Sequence, residues 1–158
     1  MTYSVRQYDK RGCPNIRDLE EIAVAEGHLF VTRTRHEWEA GVNRFDRPGE
    51  TFVLFGGDSQ IVGMCGLNID PYFDDSTVGR LRHLYIHPSQ RRAGVARALV
   101  QTCLSAASGT FDRVRLRTSN PAADALYRSL GFRIVQQPTA THEWSLRRAP
   151  RAWGSSSQ

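Results

Sequence analysis

The chain has 158 residues, 40% hydrophobic and 23% charged, with a formal net charge of +5. That length suits one domain with a full core, and no run approaches the roughly 20 apolar residues that span a bilayer. The start, Met1-Thr2-Tyr3-Ser4-Val5-Arg6, has no apolar run of the signal-peptide kind, so a soluble cytoplasmic protein is expected.

In chain order, Tyr3 to Gln7 predicts a short first strand. Asn15 reads as a helix N-cap before a stripe of Ile16, Leu19, Ile22 and Ala23, with Gly27 as the stop. A second helix is expected from about Thr34 to Asn43, then a turn at Arg47-Pro48-Gly49. Thr51 to Phe55 and Gln60 to Ile69 are rich in β-formers and flank Gly56-Gly57-Asp58-Ser59, which predicts a hairpin. Asp70-Pro71 and Asp74-Asp75 mark a loop, and Arg80 to His87 reads as a strand stopped by Pro88.

Helix then follows strand. Val95, Leu99, Cys103, Leu104 and Ala107 recur at helical spacing and Gly109 ends the run. Val114, Leu116 and Thr118 alternate as a strand. Pro121 to Leu130 is a helix with proline in its first turn and Gly131 at its end. Arg133 to Gln137 and His142 to Leu146 are expected as closing strands. The order argues for an α/β (α+β) layer around one mixed sheet. The domain is expected to cover residues 1–147, followed by a basic, Gly/Ser-rich, flexible tail at 148–158.

Cys13, Cys65 and Cys103 are few and widely spaced, with no C-x-x-C pair, so no zinc or other metal site is expected and the thiols read as buried and free. Positive charge is almost all arginine, Lys10 being the only lysine. Between Arg80 and Arg117 stand eight arginines and one acid, Asp112. Guanidinium forks suit phosphate, so an anion-binding region is expected there. A nucleic-acid surface is the rival, disfavoured because the aromatic-basic interleave that stacks bases is missing.

The segment from His83 through Leu84-Tyr85-Ile86-His87-Pro88 to Arg91-Arg92-Ala93-Gly94-Val95-Ala96-Arg97 joins a strand to a helix through a short polar loop. First-turn N–H groups of a helix converge and carry partial positive charge, so such a terminus binds phosphate. Gly94 and Ala96 let a ligand approach the backbone, and Arg91, Arg92 and Arg97 add charge at the rim. It is no Walker A loop, which needs Gly-Lys-[Ser/Thr], and no Rossmann turn, which needs more glycines.

Arg91-x-x-Gly94-x-Ala96 resembles the acetyl-coenzyme A signature of the GNAT superfamily of N-acetyltransferases, [Gln/Arg]-x-x-Gly-x-[Gly/Ala]. Asn120-Pro121-Ala122-Ala123 through Tyr127 to Gly131-Phe132 is similar to that family's Asn-x-x-Ala-x-x-x-Tyr-x-x-x-Gly-Phe segment. The matches span Arg80 to Phe132; the hairpin fits more loosely, and the N-terminal third only in its helix pattern.

The resemblance implies a single domain with a mixed, mostly antiparallel sheet that splays in the middle, flanked by helices. It implies acetyl transfer from acetyl-CoA to a small-molecule amine or a protein amino group, by direct attack in a ternary complex. Coenzyme A would lie against Leu84, Tyr85 and Ile86 and on the turn Arg91, Arg92, Ala93, Gly94, Val95, Ala96 and Arg97, with Asn120 and Tyr127 beside it. A backbone N–H at Leu84 or Tyr85 would hold the developing oxyanion, a donor typically worth about 3 kcal/mol. Tyr127 would be the acid toward the leaving thiolate. A homodimer is compatible with these features.

Many relatives place a glutamate base where this chain has Arg80 and Arg115, which stay protonated. His83, His142, Glu143, Glu50 and a water chain remain as routes for the amine's proton. That gap keeps a second reading open, an acetyl-CoA-binding module with little or no turnover. If Arg80 or Arg82 faces the cleft, the acceptor is expected to carry a carboxylate or phosphate beside its amine.

Overall fold

The computed structural model describes residues 2–146; the expected tail lies outside them. Seven strands form one sheet in the order β1-β2-β3-β4-β5-β7-β6. They are β1 (Ser4–Gln7), β2 (Thr51–Gly56), β3 (Ile61–Ile69), β4 (Val78–Ile86), β5 (Arg113–Leu116), β6 (Arg133–Gln137) and β7 (Ala140–Ser145). The helices are α1 (Arg17–Ala25), α2 (Phe30–Glu39), α3 (Val95–Ala107) and α4 (Pro121–Ser129). No helix among the described residues is long and apolar enough to cross a membrane.

Every strand pair is antiparallel except β4 with β5. Parallel neighbours need a crossover, and α3 supplies it. The core splits across the sheet. On one face Leu99, Val100, Cys103 and Leu104 of α3 pack with Val53, Leu67, Leu81, Ile86, Val114 and the Tyr127 ring of α4. On the other, Leu19 and Ala23 of α1 and Val31 and Trp38 of α2 pack with Phe52, Met64 and Tyr85. Arg35 grips Glu20 through two nitrogens, at 2.7 and 3.0 Å, and so ties α2 to α1.

Two departures from the expected elements have plain causes. Ile16, not Asn15, occupies the N-cap position of α1, while Asn15 Oδ1 accepts from the Arg17 amide at 3.5 Å from one residue further out; Ile16 is drawn into the core at 1% exposure. The second helix begins at Phe30 rather than Thr34 and ends at Glu39 rather than Asn43. Its buried stripe is Val31, Thr34 and Trp38, and Thr34 Oγ1 donates to the Phe30 carbonyl at 2.8 Å, so a polar residue hides on the apolar face. Asn43 instead accepts from the Phe45 amide at 3.0 Å and shapes a turn. Strand ends also shift: β4 begins at Val78, β5 stops at Leu116 and β7 begins at Ala140. Cys65 and Cys103 are buried free thiols, whereas Cys13 is only half-buried.

The sheet splays at its parallel seam. β4 and β5 pair only at Val78–Arg113, Gly79–Val114 and Arg80–Arg115, while β4 runs on to Ile86 against β3. Beyond Arg80 the two strands part. A Cβ on Gly79 would lie 2.8 Å from the buried Phe111 ring, so the seam closes only because that position has no side chain. Gly79→Ala is expected to cost about 1–3 kcal/mol through overpacking; a denaturant midpoint equal to that of the parent would refute this.

Candidate active site

The parting of β4 and β5 opens a cleft of about 740 Å³. Its walls come from both faces of the sheet: Phe30 and Arg33 of α2 on one side, Ala96 of α3 and Ala123, Leu126 and Tyr127 of α4 on the other. The cleft is therefore a slot with two mouths.

β4 carries an irregularity there. Met64 pairs with Tyr85 but Gly66 pairs with Arg82, so His83 and Leu84 together oppose Cys65. This is a β-bulge, which leaves a backbone group out of the ladder and bends the strand. His83 sits at φ 66°, in the left-handed region. The extra residue also shifts the side-chain phase by one. Leu81 before the bulge and Leu84 and Ile86 after it all pack toward α3, while Tyr85 packs toward α1 and α2.

Beyond β4, Pro88–Gln90 form one 3-10 turn, capped by His87 Nδ1, which accepts from the Ser89 amide at 3.0 Å. Arg92 (φ 65°) and Gly94 (φ 78°) then turn the chain into α3. Gly94 is the N-cap of α3 and no side chain caps it. The amides from Arg92 to Arg97 have no hydrogen-bond acceptor among the described residues; the first closed turn is Ala98 N–H to the Gly94 carbonyl, 3.1 Å. A Cβ on Gly94 would meet nothing within 4 Å. An uncapped thirteen-residue helix start facing open space is fit to hold a diphosphate.

The expected site residues divide into groups. Leu84, Tyr85, Ile86, Arg91, Ala96, Asn120 and Tyr127 line the cleft. Arg92, Ala93, Gly94, Val95 and Arg97 do not; the first three form the turn after the lining residue Arg91, and Val95 and Arg97 flank the lining residue Ala96 in the first turn of α3. Val95 is core at 7% exposure and offers its amide alone. The arginines differ from a simple cationic rim. Arg91 donates to Glu26 at 2.6 and 3.1 Å and to the Ile86 carbonyl at 3.0 Å, pinning the turn to α1 and β4. Arg97 donates to Ser129 at 2.7 Å. Asn120 caps α4, accepting from the amides of Ala122 and Ala123 at 2.9 and 3.4 Å.

Tyr127 is 6% exposed, and its hydroxyl has no hydrogen-bond partner among the described residues. Burial, chiefly, pushes its phenol well above the usual range. It stays protonated at neutral pH and is a donor. Tyr85 is engaged elsewhere: its hydroxyl donates to Glu26 at 2.5 Å. Burial first and then that carboxylate push its phenol up to about 12.

The candidate bases fare unequally. Glu143 is held among Arg133 (2.9 Å), Arg113 (3.2 Å) and Arg115 (3.9 Å). Glu50 accepts from the Ile69 amide at 2.8 Å and from Arg47. His142 bonds Asp124 at 2.7 Å and Thr141 at 2.8 Å. None of the three lines the cleft. His83 does, but Arg82 Nε donates to its Nε2 at 3.0 Å. A guanidinium only donates, so the ring proton sits on Nδ1, toward Thr34 Oγ1. Burial first, then the charges of Arg82, Arg33 and Arg80, lower His83 to about 3. So weak a base does not take an amine's proton.

Sequence reading missed Phe30 and Arg33 of the cleft wall, and the Glu26 latch. The first two lie on one helical face at i, i+3, a usable signal had the helix been started correctly. Glu26 and Arg91 are 65 positions apart, and nothing local links them.

The Acetyltransferase (GNAT) family model matches residues 8–132. N-alpha-acetyltransferase RimI of Mycobacterium tuberculosis is 28% identical over 123 residues, covering 75% of this chain and 74% of that protein. A solved structure from Exiguobacterium sp. 255-15, classed among acetyltransferases, superposes at TM-score 0.80 with 25% identity over 92% of this chain and 94% of its own. The paiA N-acetyltransferase of Thermoplasma acidophilum, solved with coenzyme A, shares the fold at TM-score 0.66 and 17% identity, over 92% of this chain and 99% of its own.

Arg91 and Tyr85 together hold the Glu26 carboxyl down to about 2, from the usual 4.5. A depressed carboxyl stabilises above its unfolded pKa and loses that contribution as pH falls through the folded one. The thermal-stability gap between the parent and Glu26→Gln is thus expected to be constant above about pH 4.5 and to close toward pH 2. A gap that does not change with pH would assign it to packing instead.

Proposed function

This chain belongs to the Acetyltransferase (GNAT) family, and from that premise we propose that it is an acetyl-CoA-dependent N-acetyltransferase acting by direct attack in a ternary complex. The observation that carries the reading is the uncapped start of α3 beside the splayed seam: free amides beside one end of the slot and the unpaired hydroxyl of the largely buried Tyr127 at the other.

Acetyl-CoA, when bound, supplies the thioester carbon that the amine attacks. In this proposal the amides of Arg92 to Arg97 hold its diphosphate, while Arg91 stiffens the turn instead of pairing with phosphate. Leu84, Ile86 and Ala96 wall the arm on the α3 side, with Tyr85 continuing the strand edge and Asn120 at the α4 border. The bulge directs a β4 amide into the slot; Leu84 suits this better than Tyr85, whose Cα pairs with Met64 in the ladder. Such a donor stabilises charge on the acetyl oxygen by about 3 kcal/mol. Tyr127 donates to the departing sulfur. Its raised pKa makes it first a hydrogen-bond donor; full proton transfer needs the same dry pocket to raise the thiol as well.

Among the described residues no carboxylate lines the slot, and His83 is too weak a base. The amine's proton therefore leaves through water or before binding. Turnover is expected to rise with pH until the acceptor's own amine pKa, with no inflection from His83. An inflection near pH 6.5 that disappears in His83→Gln would overturn this.

Gly94→Glu places a side chain at φ 78° and an anion in the open space at the amides. It is expected to abolish coenzyme A binding in calorimetry while circular dichroism stays native; undiminished binding would remove the turn from the site. Tyr127→Phe is expected to lower kcat by roughly 10²-fold or more with little change in coenzyme A affinity. Equal kcat would take Tyr127 out of the chemistry. Tight coenzyme A binding without thiol release on any amine would instead favour the binding-module reading.

A further inference from the structure

The slot has two chemically different ends. Toward α3 and α4 it is apolar, with Ala96, Ala123, Leu126 and Tyr127. Toward α2 it is cationic. Arg33, Arg80, Arg82 and Arg117 line it, and among the described residues no aspartate or glutamate does. Three elements or their flanks, α2, β4 and the end of β5, therefore send guanidinium groups to one mouth, where Asp70 approaches Arg80 alone.

These arginines are not equally free. Arg80 donates to the Thr139 carbonyl at 2.9 Å, lies 3.8 Å from Asp70 and stacks on Tyr72 at 4.7 Å. Arg82 uses only Nε, on His83, leaving its two terminal nitrogens without a partner among the described residues. Arg33 and Arg117 are exposed, and their side chains have no hydrogen-bond or ion-pair partner among those residues. Unpaired guanidinium forks at the mouth of a cleft match a planar carboxylate or a phosphate. A polycationic acceptor would meet repulsion from the same groups.

Resting on the acetyltransferase reading, we infer that the acceptor is a small amine carrying a carboxylate or phosphate close to its nitrogen, anchored by Arg82 and Arg33 at the α2 mouth. The anion binds the terminal nitrogens of Arg82 and the Arg33 fork, and the amine then points along β4 toward the bulge at His83 and Leu84. His83 Nε2 accepts from Arg82 Nε and so holds that guanidinium in place with its terminal nitrogens free. The positive charge remaining at this mouth disfavours the ammonium form of the amine, which eases loss of its proton where no base is present.

The test is thiol release on matched pairs: an α-amino acid against its amide, and phosphoethanolamine against ethanolamine. The anionic member of at least one pair is expected to have a kcat/KM roughly tenfold or more above its neutral partner. The pair with the larger ratio tells carboxylate from phosphate. Arg82→Gln and Arg33→Gln are each expected to shrink that ratio several-fold with the heat of coenzyme A binding unchanged. Arg33 is exposed, so its variant carries the test should Arg82→Gln misfold. Equal or inverted preference in both pairs overturns the anchor while acetyl transfer stands, and so does a peptide α-amine preferred over every small anion. If no amine releases thiol, the acetyltransferase reading fails, and the same amines are titrated into the coenzyme A-saturated protein. Heat from the anionic members that is lost in Arg33→Gln sustains the anchor, and its absence overturns it.

Discussion

The seam between β4 and β5 is the constraint on which the rest depends. Three residue pairs join the two halves of the sheet, and just there the chain buries charge. Asp70 lies 3.8 Å from Arg80 and 3.6 Å from Arg115, and Glu143 lies 3.9 Å from Arg115. Arg80 and Arg115 are themselves partners across the seam. Two buried guanidiniums and two buried carboxylates balance in charge. Such a cluster is weak as a source of stability, because desolvation offsets most of the attraction. Its value is geometric: no neighbouring register brings the same four groups together, so it fixes where the parallel pairing begins and hence where the splay opens.

The arginines that stand where many relatives have a glutamate therefore have structural employment. Arg115 donates to Gln137 and forms looser ion pairs with Asp70 and Glu143, its buried Nε having no hydrogen-bond partner among the described residues, and it does not line the slot. Arg80 divides its contacts between the cluster and the slot wall. Neither guanidinium can serve as a base, and of the two only Arg80 lines the slot.

A second coupling runs through Glu26. It closes α1, receives the Tyr85 hydroxyl from β4 and binds Arg91 of the turn that leads into α3. The uncapped turn before α3 is in this way tied to the end of α1, on the face of the sheet where α2 walls the slot. Tyr85 and Arg91, both expected near the ligand, act here as struts, and the Arg91 guanidinium lies 5.5 Å from the Tyr85 ring centroid. Rigid placement of the amides costs nothing at the moment of binding, which is what an anion site needs.

The sequence by itself determined the pieces whose physics is local. Gly94 and the uncapped turn, Asn120 capping α4 and the stripe through Val95, Leu99 and Cys103 rest on contacts within a few residues, and their spacing is visible in the string. The hairpin from Thr51 to Ile69 was legible to within one residue for the same reason. Tertiary structure alone decided what depends on residues far apart. The bulge that puts Leu84 with Leu81 and Ile86 on the α3 side, the meeting of Arg33 with Arg82, the capture of Arg91 by Glu26 and the neutrality of His83 all arise where distant elements pack. A one-residue slip in β4 would reverse every facing, and no local propensity encodes that slip.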